Sequence, residues 1–190
     1  PKIINTTTPL VKKAREGGCR VIGPNCLGMY SPRGGITFPE DAPREGGHIG
    51  VICQSGGLGT DIIKRGGQRG LRFSVVITVG NCADLAPVDL AEFLFADPVT
   101  KVVGLYLEDA KDGRALFEVL QRNAGRKPVV LLWGGRSQQG SIAAASHTGA
   151  IAGNRDAWHA LSQQTGCVLV NTLDQFIDVL ETVLENRLGH

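Results

Sequence analysis

Short apolar runs that alternate with helix-forming segments are the feature that most restricts how this chain can fold. Five runs rich in Val, Ile and Leu lack the regular apolar–polar alternation of half-exposed strands. Strands covered by helices on both faces have this composition. The five predicted strands are residues 49–53, 73–79, 102–107, 128–132 and 167–170.

A helix is predicted after each of these strands. The predicted helices are residues 60–68, 87–95, 113–123, 155–164 and a last one that begins after Thr172. Strands that alternate with helices are connected by right-handed crossovers, which produce a parallel sheet with helices on both faces. We therefore predict a doubly wound α/β domain with strand order 2-1-3-4-5, in which ligands bind at the carboxyl ends of the strands.

The first 45 residues do not share this pattern. They contain a predicted short strand at 2–5, a helix at 9–16 and then a stretch rich in proline and glycine. This part is too small to fold as a unit, so we interpret it as the tail of another α/β unit followed by a linker. Because the chain opens in mid-pattern without methionine, we expect it to be a fragment of a larger protein.

Composition narrows the class of protein. A formal net charge of +2 argues against a nucleic-acid-binding stripe. No apolar run approaches the ~20 residues that cross a bilayer. The five cysteines are scattered without CxxC spacing, which favours a reduced, cytoplasmic protein over a disulfide framework or a zinc site. We predict no metal ligands in this chain.

Glycines cluster where the first predicted strand ends, in Gln54-Ser55-Gly56-Gly57-Leu58-Gly59. The free N–H groups and the dipole of the helix that follows can bind an anion there. Ser55 can cap that helix and donate its hydroxyl to a phosphate. The G-x-G-x-x-G spacing of dinucleotide-binding turns is absent. The plainer alternative is a tight strand–helix turn, but the glycines exceed what such a turn requires.

A histidine and a carboxylate are the candidate catalytic residues. His147 lies in a run of small residues, 141–153, whose composition favours a shaped loop. Glu108 ends the third strand. A carboxylate at that place can accept a hydrogen bond from one imidazole nitrogen and leave the other to act as a nucleophile. The plainer alternatives are a surface histidine in a linker and an exposed acid at a strand end.

Several motifs occur together and in order along the chain. They are Gly23-Pro24-Asn25-Cys26-Leu27-Gly28, the Ser55-Gly56-Gly57 turn, Val79-Gly80-Asn81, Tyr106-Leu107-Glu108, Gly135-Arg136-Ser137 and Ser146-His147-Thr148-Gly149-Ala150. With them, nearly the whole chain resembles the NDP-forming acyl-CoA synthetase family, the superfamily of the succinyl-CoA synthetase α subunit. The resemblance implies that residues 1–45 end a CoA-binding Rossmann domain and that residues 46–190 form a flavodoxin-like phosphohistidine domain.

The resemblance also implies a chemistry and a role for each matching residue. Enzymes of this family are ligases that relay a phosphoryl group between an acyl phosphate and a nucleoside diphosphate through a phosphohistidine. His147 matches the phosphohistidine, and Glu108 matches the carboxylate that steadies it. The helix start that receives the phosphate matches Ser55, Gly56 and Gly57, and the loop near the thiol end of CoA matches Asn25 and Cys26.

The implied cofactors are CoA and ATP/ADP or GTP/GDP with Mg²⁺, the nucleotide being bound by an ATP-grasp subunit or domain outside this sequence. The resemblance also implies an oligomer that acts on a small-molecule acid, and it implies that the isolated chain is inactive alone.

A second interpretation of the sequence is an acyl-CoA-sensing regulatory module fused to a protein acetyltransferase. A third is a purely structural interaction domain. The pairing of His147 with Glu108 favours the enzyme, because neither alternative needs a phosphorylatable imidazole.

Overall fold

A computed structural model describes residues 7–134 and 155–189. Six helices and six strands are assigned in this part of the chain. The helices are α1 (Thr7–Glu16), α2 (Gly56–Gln68), α3 (Pro87–Ala96), α4 (Gly113–Arg122), α5 (Arg155–Thr165) and α6 (Leu173–Leu188). The strands are β1 (Met29–Tyr30), β2 (Ile49–Cys53), β3 (Phe73–Thr78), β4 (Val102–Leu107), β5 (Val129–Trp133) and β6 (Val168–Val170). A short 3₁₀ helix, Pro32–Gly34, follows β1.

The strands form one sheet in the order β1-β3-β2-β4-β5-β6. The pairs β2–β3, β2–β4, β4–β5 and β5–β6 are all parallel. This arrangement confirms the predicted doubly wound α/β fold, because the five predicted strands lie in the order 2-1-3-4-5. The sheet differs from the prediction by one added strand, since β1 pairs antiparallel with β3 at the edge.

Strand β1 lies in the stretch that the sequence analysis treated as a linker, and contacts with β3 hold it there. The backbone N–H of Gly28 donates to the Thr78 hydroxyl over 2.9 Å, and the N–H of Thr78 donates to the carbonyl of Gly28 over 2.7 Å. Tyr30 is fully buried and packs edge-on against Phe73, with ring centroids 6.4 Å apart. A two-residue strand has no period to detect, so these contacts could not be predicted from the sequence pattern.

Helices cover both faces of the sheet. Helices α3, α4 and α5 pack on one face, and α2 and α6 pack on the other. All five residues of β2 and all six of β3 are buried, which is why their sequences are apolar without alternation. Each fully buried large aliphatic or aromatic side chain stabilises the fold by about 1.5–3 kcal/mol relative to an exposed one.

Helix α2 begins earlier than predicted, at Gly56 instead of residue 60. Glycine has a low helix propensity, so the run 56–59 gave no helix signal. Ser55 overrides this by capping the helix: its backbone is extended, and its Oγ accepts a hydrogen bond from the N–H of Leu58 over 3.2 Å. Thr172 caps α6 in the same way, as predicted. The predicted strand at 2–5 and the predicted loop at 141–153, which contains His147, lie outside the described residues.

No helix within residues 7–134 and 155–189 is long and apolar enough to cross a membrane. In the same ranges no group of three or more His, Cys, Asp or Glu side chains is placed to hold a metal ion. All five cysteines are free thiols.

Candidate functional site

A cavity of about 590 Å³ opens at the edge of the sheet where the parallel strands end. The start of α2 and the segments that follow β3 and β4 surround it, and the segment that precedes β1 covers one side. The residues that line it are Asn25, Cys26, Leu27, Gln54, Ser55, Gly56, Gly57, Thr60, Gly80, Asn81 and Glu108. The cavity therefore lies where a doubly wound sheet is expected to bind a ligand.

Six of the seven predicted site residues line this one cavity. They are Asn25, Cys26, Ser55, Gly56, Gly57 and Glu108. The sequence separates them by up to 83 positions, so the fold brings them together. The seventh, His147, lies outside the part of the chain that the structure describes.

The Ser55 turn presents free backbone donors to the cavity. Ser55 Oγ accepts a hydrogen bond from the N–H of Leu58, and the Ser55 carbonyl accepts one from the N–H of Gly59 over 3.0 Å. The N–H groups of Gly56 and Gly57 belong to the first helical turn, which leaves them without acceptors in that helix. A Cβ on Gly56 would lie 3.0 Å from the backbone nitrogen of Leu27, so glycine lets the covering segment approach. The arrangement can bind a phosphate through backbone donors.

The Asn25–Cys26 segment is held against the turn after β3. The N–H of Asn81 donates to the carbonyl of Pro24 over 3.0 Å, and the N–H of Ala83 donates to that of Gly23 over 2.9 Å. Gly80 has a φ of +50°, and a Cβ there would lie 2.2 Å from the Pro24 carbonyl oxygen. Only glycine can occupy such a position without strain. This contact places Asn25 and Cys26 at the cavity, where a Cβ on Gly56 would lie 3.6 Å from the Cα of Cys26.

Glu108 follows β4 directly and is half-buried. The Tyr106 hydroxyl donates to its Oε1 over 3.3 Å. Burial, and secondarily the charge of Glu108, raises the pKa of the Tyr106 phenol well above its usual value. Glycine at position 134 leaves room for this contact, because a Cβ there would lie 2.4 Å from the Tyr106 hydroxyl and 3.1 Å from Cγ of Glu108. The phenol therefore remains a hydrogen-bond donor to the carboxylate at physiological pH.

Gln54 is a functional candidate that the sequence analysis did not assign. It is the last residue before Ser55, it is 3% exposed and it lines the cavity. Its side-chain oxygen accepts hydrogen bonds from the N–H groups of Glu108 and Asp109. A glutamine after a strand gives no local signal of such a role; only contacts between distant segments identify it.

Two cysteines adjoin the site. Cys53 is fully buried behind the Ser55 turn, and burial raises the pKa of its thiol to about 12. Burial also raises the pKa of the half-buried Cys82 thiol above its usual value. Neither thiol is activated as a nucleophile, since a reactive cysteine needs a lowered pKa.

The polar groups of the cavity suit recognition of an anion next to a single carboxylate. Among the described residues that line it there is no lysine or arginine, and Glu108 supplies the one carboxylate. The helix start lines the cavity together with Asn25 and Asn81, and Nδ2 of Asn25 donates to Oδ1 of Asn81 over 3.5 Å. This combination can stabilise phosphoryl oxygens while the carboxylate orients a separate cationic or N–H-bearing group.

Comparison with known proteins agrees with this architecture. Residues 46–183 match the family model of the succinyl-CoA ligase like flavodoxin domain. The chain is 38% identical, over 90% of its length, to the α subunit of an ADP-forming acetate–CoA ligase II from Pyrococcus furiosus, of which it covers 37%. It is 37% identical, over 94% of its length, to an ADP-forming acetate–CoA ligase I from Archaeoglobus fulgidus, of which it covers 26%.

A solved structure is similar in shape as well. It is the acetyl-coenzyme A synthetase 1 of Ca. Korarchaeum cryptofilum, described as dinucleotide forming and in complex with phosphate and ADP. The TM-score is 0.80 at 34% identity, and the match covers 90% of this chain and 38% of that one. The chain thus spans less than two-fifths of the length of each of these relatives. On the family model and these similarities, the chain belongs to the NDP-forming acyl-CoA synthetase family, of which residues 46–183 are the succinyl-CoA ligase-like flavodoxin domain.

Proposed function

We propose that this chain is the phosphoryl-carrying part of an NDP-forming acyl-CoA ligase, with His147 as the carrier. The observation that carries the proposal is the single cavity in which the helix start at Ser55-Gly56-Gly57 lies beside Glu108 and the Asn25–Cys26 segment. A site for a phosphate, a carboxylate to orient an imidazole and a site for a thiol substrate are three of the parts that this reaction needs.

In the proposed reaction a nitrogen of His147 attacks the phosphorus of an acyl phosphate. The bond from phosphorus to the acyl oxygen breaks, the carboxylate of the free acid leaves, and a phosphohistidine forms. A nucleoside diphosphate oxygen then attacks the phosphohistidine, and the imidazole leaves. Imidazole suits this exchange because it is largely neutral and nucleophilic near pH 7. The acyl phosphate itself forms when inorganic phosphate displaces CoA from the thioester.

Each described site residue has a role in this scheme. The N–H groups of Gly56 and Gly57, with the Ser55 hydroxyl, bind the phosphoryl oxygens. Glu108 accepts a hydrogen bond from the imidazole nitrogen that does not attack, which holds the ring in one tautomer. Asn25 and Cys26 contact the thiol end of CoA. The nucleotide, with Mg²⁺, binds an ATP-grasp subunit or domain outside this sequence. The names of the relatives, and the ADP and phosphate in the Korarchaeum complex, support an ADP-forming ligase reaction for the whole protein.

The test is to incubate this chain, together with its ATP-grasp unit, with nucleoside triphosphate labelled at the γ-phosphate. An acid-labile, base-stable phosphoenzyme is expected. His147→Ala should abolish the label. Glu108→Gln should slow its formation by about 10²–10³-fold, the usual effect of removing one preorganised electrostatic partner.

His159→Ala is the matched control, because His159 is an exposed histidine of α5 outside the cavity. It should label at the wild-type rate. Full labelling of His147→Ala would assign the chemistry to another residue, and an absence of label in the wild type would contradict the whole proposal.

A further inference from the structure

The segment that carries Glu108 is fixed to the Ser55 turn by one side chain, that of Gln54. Two carbonyl lone pairs and two N–H groups give a glutamine amide four hydrogen-bonding positions. Both acceptor positions are used by consecutive backbone N–H groups, those of Glu108 and Asp109, the latter over 2.9 Å. Its Nε2 donates to the carbonyl of Asp109 over 2.7 Å. The amide of Gln54 thus binds the backbone of residues 108–109 through both its oxygen and its nitrogen.

Burial makes this interaction rigid. Gln54 is 3% exposed, and its own backbone N–H donates to the carbonyl of Tyr106 over 3.0 Å. If this buried amide lost its partners, the folded state would be destabilised, because a buried polar group without a hydrogen bond is unfavourable. The bonds therefore persist, and residue 108 cannot move relative to residue 54 without breaking them.

The carboxylate of Glu108 is held separately from its backbone. The Tyr106 hydroxyl donates to Oε1, and Gly134 leaves the room that this contact needs. Tyr106 lies in β4 and Glu108 follows that strand directly, and the hydroxyl reaches the carboxylate two residues further along the chain over 3.3 Å. Gln54 sets where the backbone of Glu108 lies, and Tyr106 sets which way one carboxylate oxygen faces.

We infer that Gln54 and Tyr106 are positioning residues that hold the Glu108 carboxylate at a set distance from the anion-binding start of α2. The inference rests on the proposed function, in which Glu108 orients the phosphate-carrying imidazole. Ser55 is the residue next to Gln54, so a single bonded unit contains both the phosphate-binding turn and the orienting carboxylate.

The first measurement is of geometry and does not depend on activity. Hydrogen exchange followed by mass spectrometry is carried out on this chain with its ATP-grasp unit, and peptides that span residues 107–110 are followed. Gln54→Met removes all the amide bonds while keeping a side chain of similar length. It should increase exchange at the N–H groups of Glu108 and Asp109. Unchanged exchange would show that Gln54 does not hold this segment.

The second measurement is of rate. Gln54→Met should slow phosphoenzyme formation by about 10²-fold, since a misplacement of ~1 Å has effects of this size, and should leave the KM for the nucleotide unchanged. Gln54→Glu keeps an acceptor for both N–H groups but cannot donate to Asp109 when ionised, so its rate should lie between those of Gln54→Met and the wild type. Tyr106→Phe keeps the packing and loses the hydroxyl, and should reduce the rate by about tenfold to a hundredfold.

Asn123→Leu is the matched control. Asn123 is also a buried side-chain amide, 5% exposed and bonded to the carbonyl of Val119, but it lies at the other end of α4. It should lower stability without changing the phosphorylation rate. Wild-type rates in a folded Gln54→Met and in Tyr106→Phe would overturn the inference while leaving the proposed function intact. An absence of phosphoenzyme in the wild type would contradict the proposed function, and the positioning role with it.

Discussion

At the scale of single residues, Gly80 is the position that most directly joins the fold to the site. Its φ of +50° is unfavourable for other residues, and a Cβ would lie 2.2 Å from one backbone carbonyl oxygen and 2.3 Å from the next. Gly80→Ala should lower the free energy of unfolding by about 1–3 kcal/mol from backbone strain alone. It should also move the segment that contains Asn25 away from the cavity.

The free energy of unfolding of Gly80→Ala is measured by urea denaturation, and Gly57→Ala is the control variant. It is exposed in the first turn of α2, and a Cβ there would meet no atom within 4 Å. Gly57→Ala should leave stability unchanged or raise it by up to about 1 kcal/mol, because alanine is the better helix former. Equal losses of stability in the two variants would contradict the steric account of Gly80.

Cys53 gives a prediction on pH at the same scale. Burial raises the pKa of its thiol from 9.0 in an exposed chain to about 12. The folded state therefore keeps its proton longer than the unfolded state, so the contribution of Cys53 to stability is complete below about pH 9 and is lost as the pH rises through about 12. Between pH 9 and 10 this loss should be about 1 kcal/mol.

The measurement is the free energy of unfolding at both pH values for the wild type and for Cys53→Ala. The variant should be less stable at pH 8 but should lose less stability between pH 9 and 10. Alkylation provides an independent check, since iodoacetamide at pH 8 should modify the exposed Cys19 before the fully buried Cys53. Parallel pH curves for the two proteins would contradict the raised pKa.

At the scale of elements, two of the described helices begin with a capping hydroxyl, but only one of these begins at the cavity. Ser55 Oγ accepts from Leu58 N over 3.2 Å at the start of α2, and Thr172 Oγ1 accepts from Gln175 N over 3.1 Å at the start of α6. Ser55→Ala and Thr172→Ala should each cost about 1 kcal/mol of stability. Only Ser55→Ala should weaken binding of inorganic phosphate.

Phosphate binding can be followed by titration with NMR, through the backbone N–H signals of Gly56 and Gly57. In the wild type these two signals should shift on addition of phosphate, and in Thr172→Ala they should shift to the same extent. A shift at residues outside the first turn of α2, with none at these two, would show that this helix start does not bind the anion.

The elements also explain what the sequence could predict. Strands β2 to β5 were predictable because each is almost wholly buried, so its run of apolar residues is visible without any knowledge of neighbours. The edge strand β6 was predictable from its apolar run as well, although Val168 in it is exposed. Strand β1 was not, since its two residues pair with β3 through Thr78 and Gly28, which are 50 positions apart. The residues at strand ends, Ser55 and Glu108, were predictable from the topology. Gln54 was not, because its bonds reach residues 54 and 55 positions away.

At the scale of the whole molecule, the cavity lies between elements that pack on opposite faces of the sheet. The cavity opens at the carboxyl edge, with α2 on one face and the segment after β4 leading into α4 on the other. On the proposed function, its backbone donors at the start of α2 are the phosphate-binding groups that this chain contributes. The nucleotide-binding part, on the proposed function, belongs to an ATP-grasp unit.

The last prediction follows from this division. These 190 residues alone should fold, since both faces of the sheet are covered, but should form no acyl-CoA from acid, CoA and nucleoside triphosphate. Addition of the ATP-grasp unit as a separate polypeptide should produce the labelled phosphoenzyme, because a relay through a histidine requires only that the two parts meet. The measurement is thioester formation and labelling with each part alone and with both. Circular dichroism of the isolated chain serves as the control for folding. Thioester synthesis by the isolated chain would contradict the assignment of nucleotide binding to a separate unit.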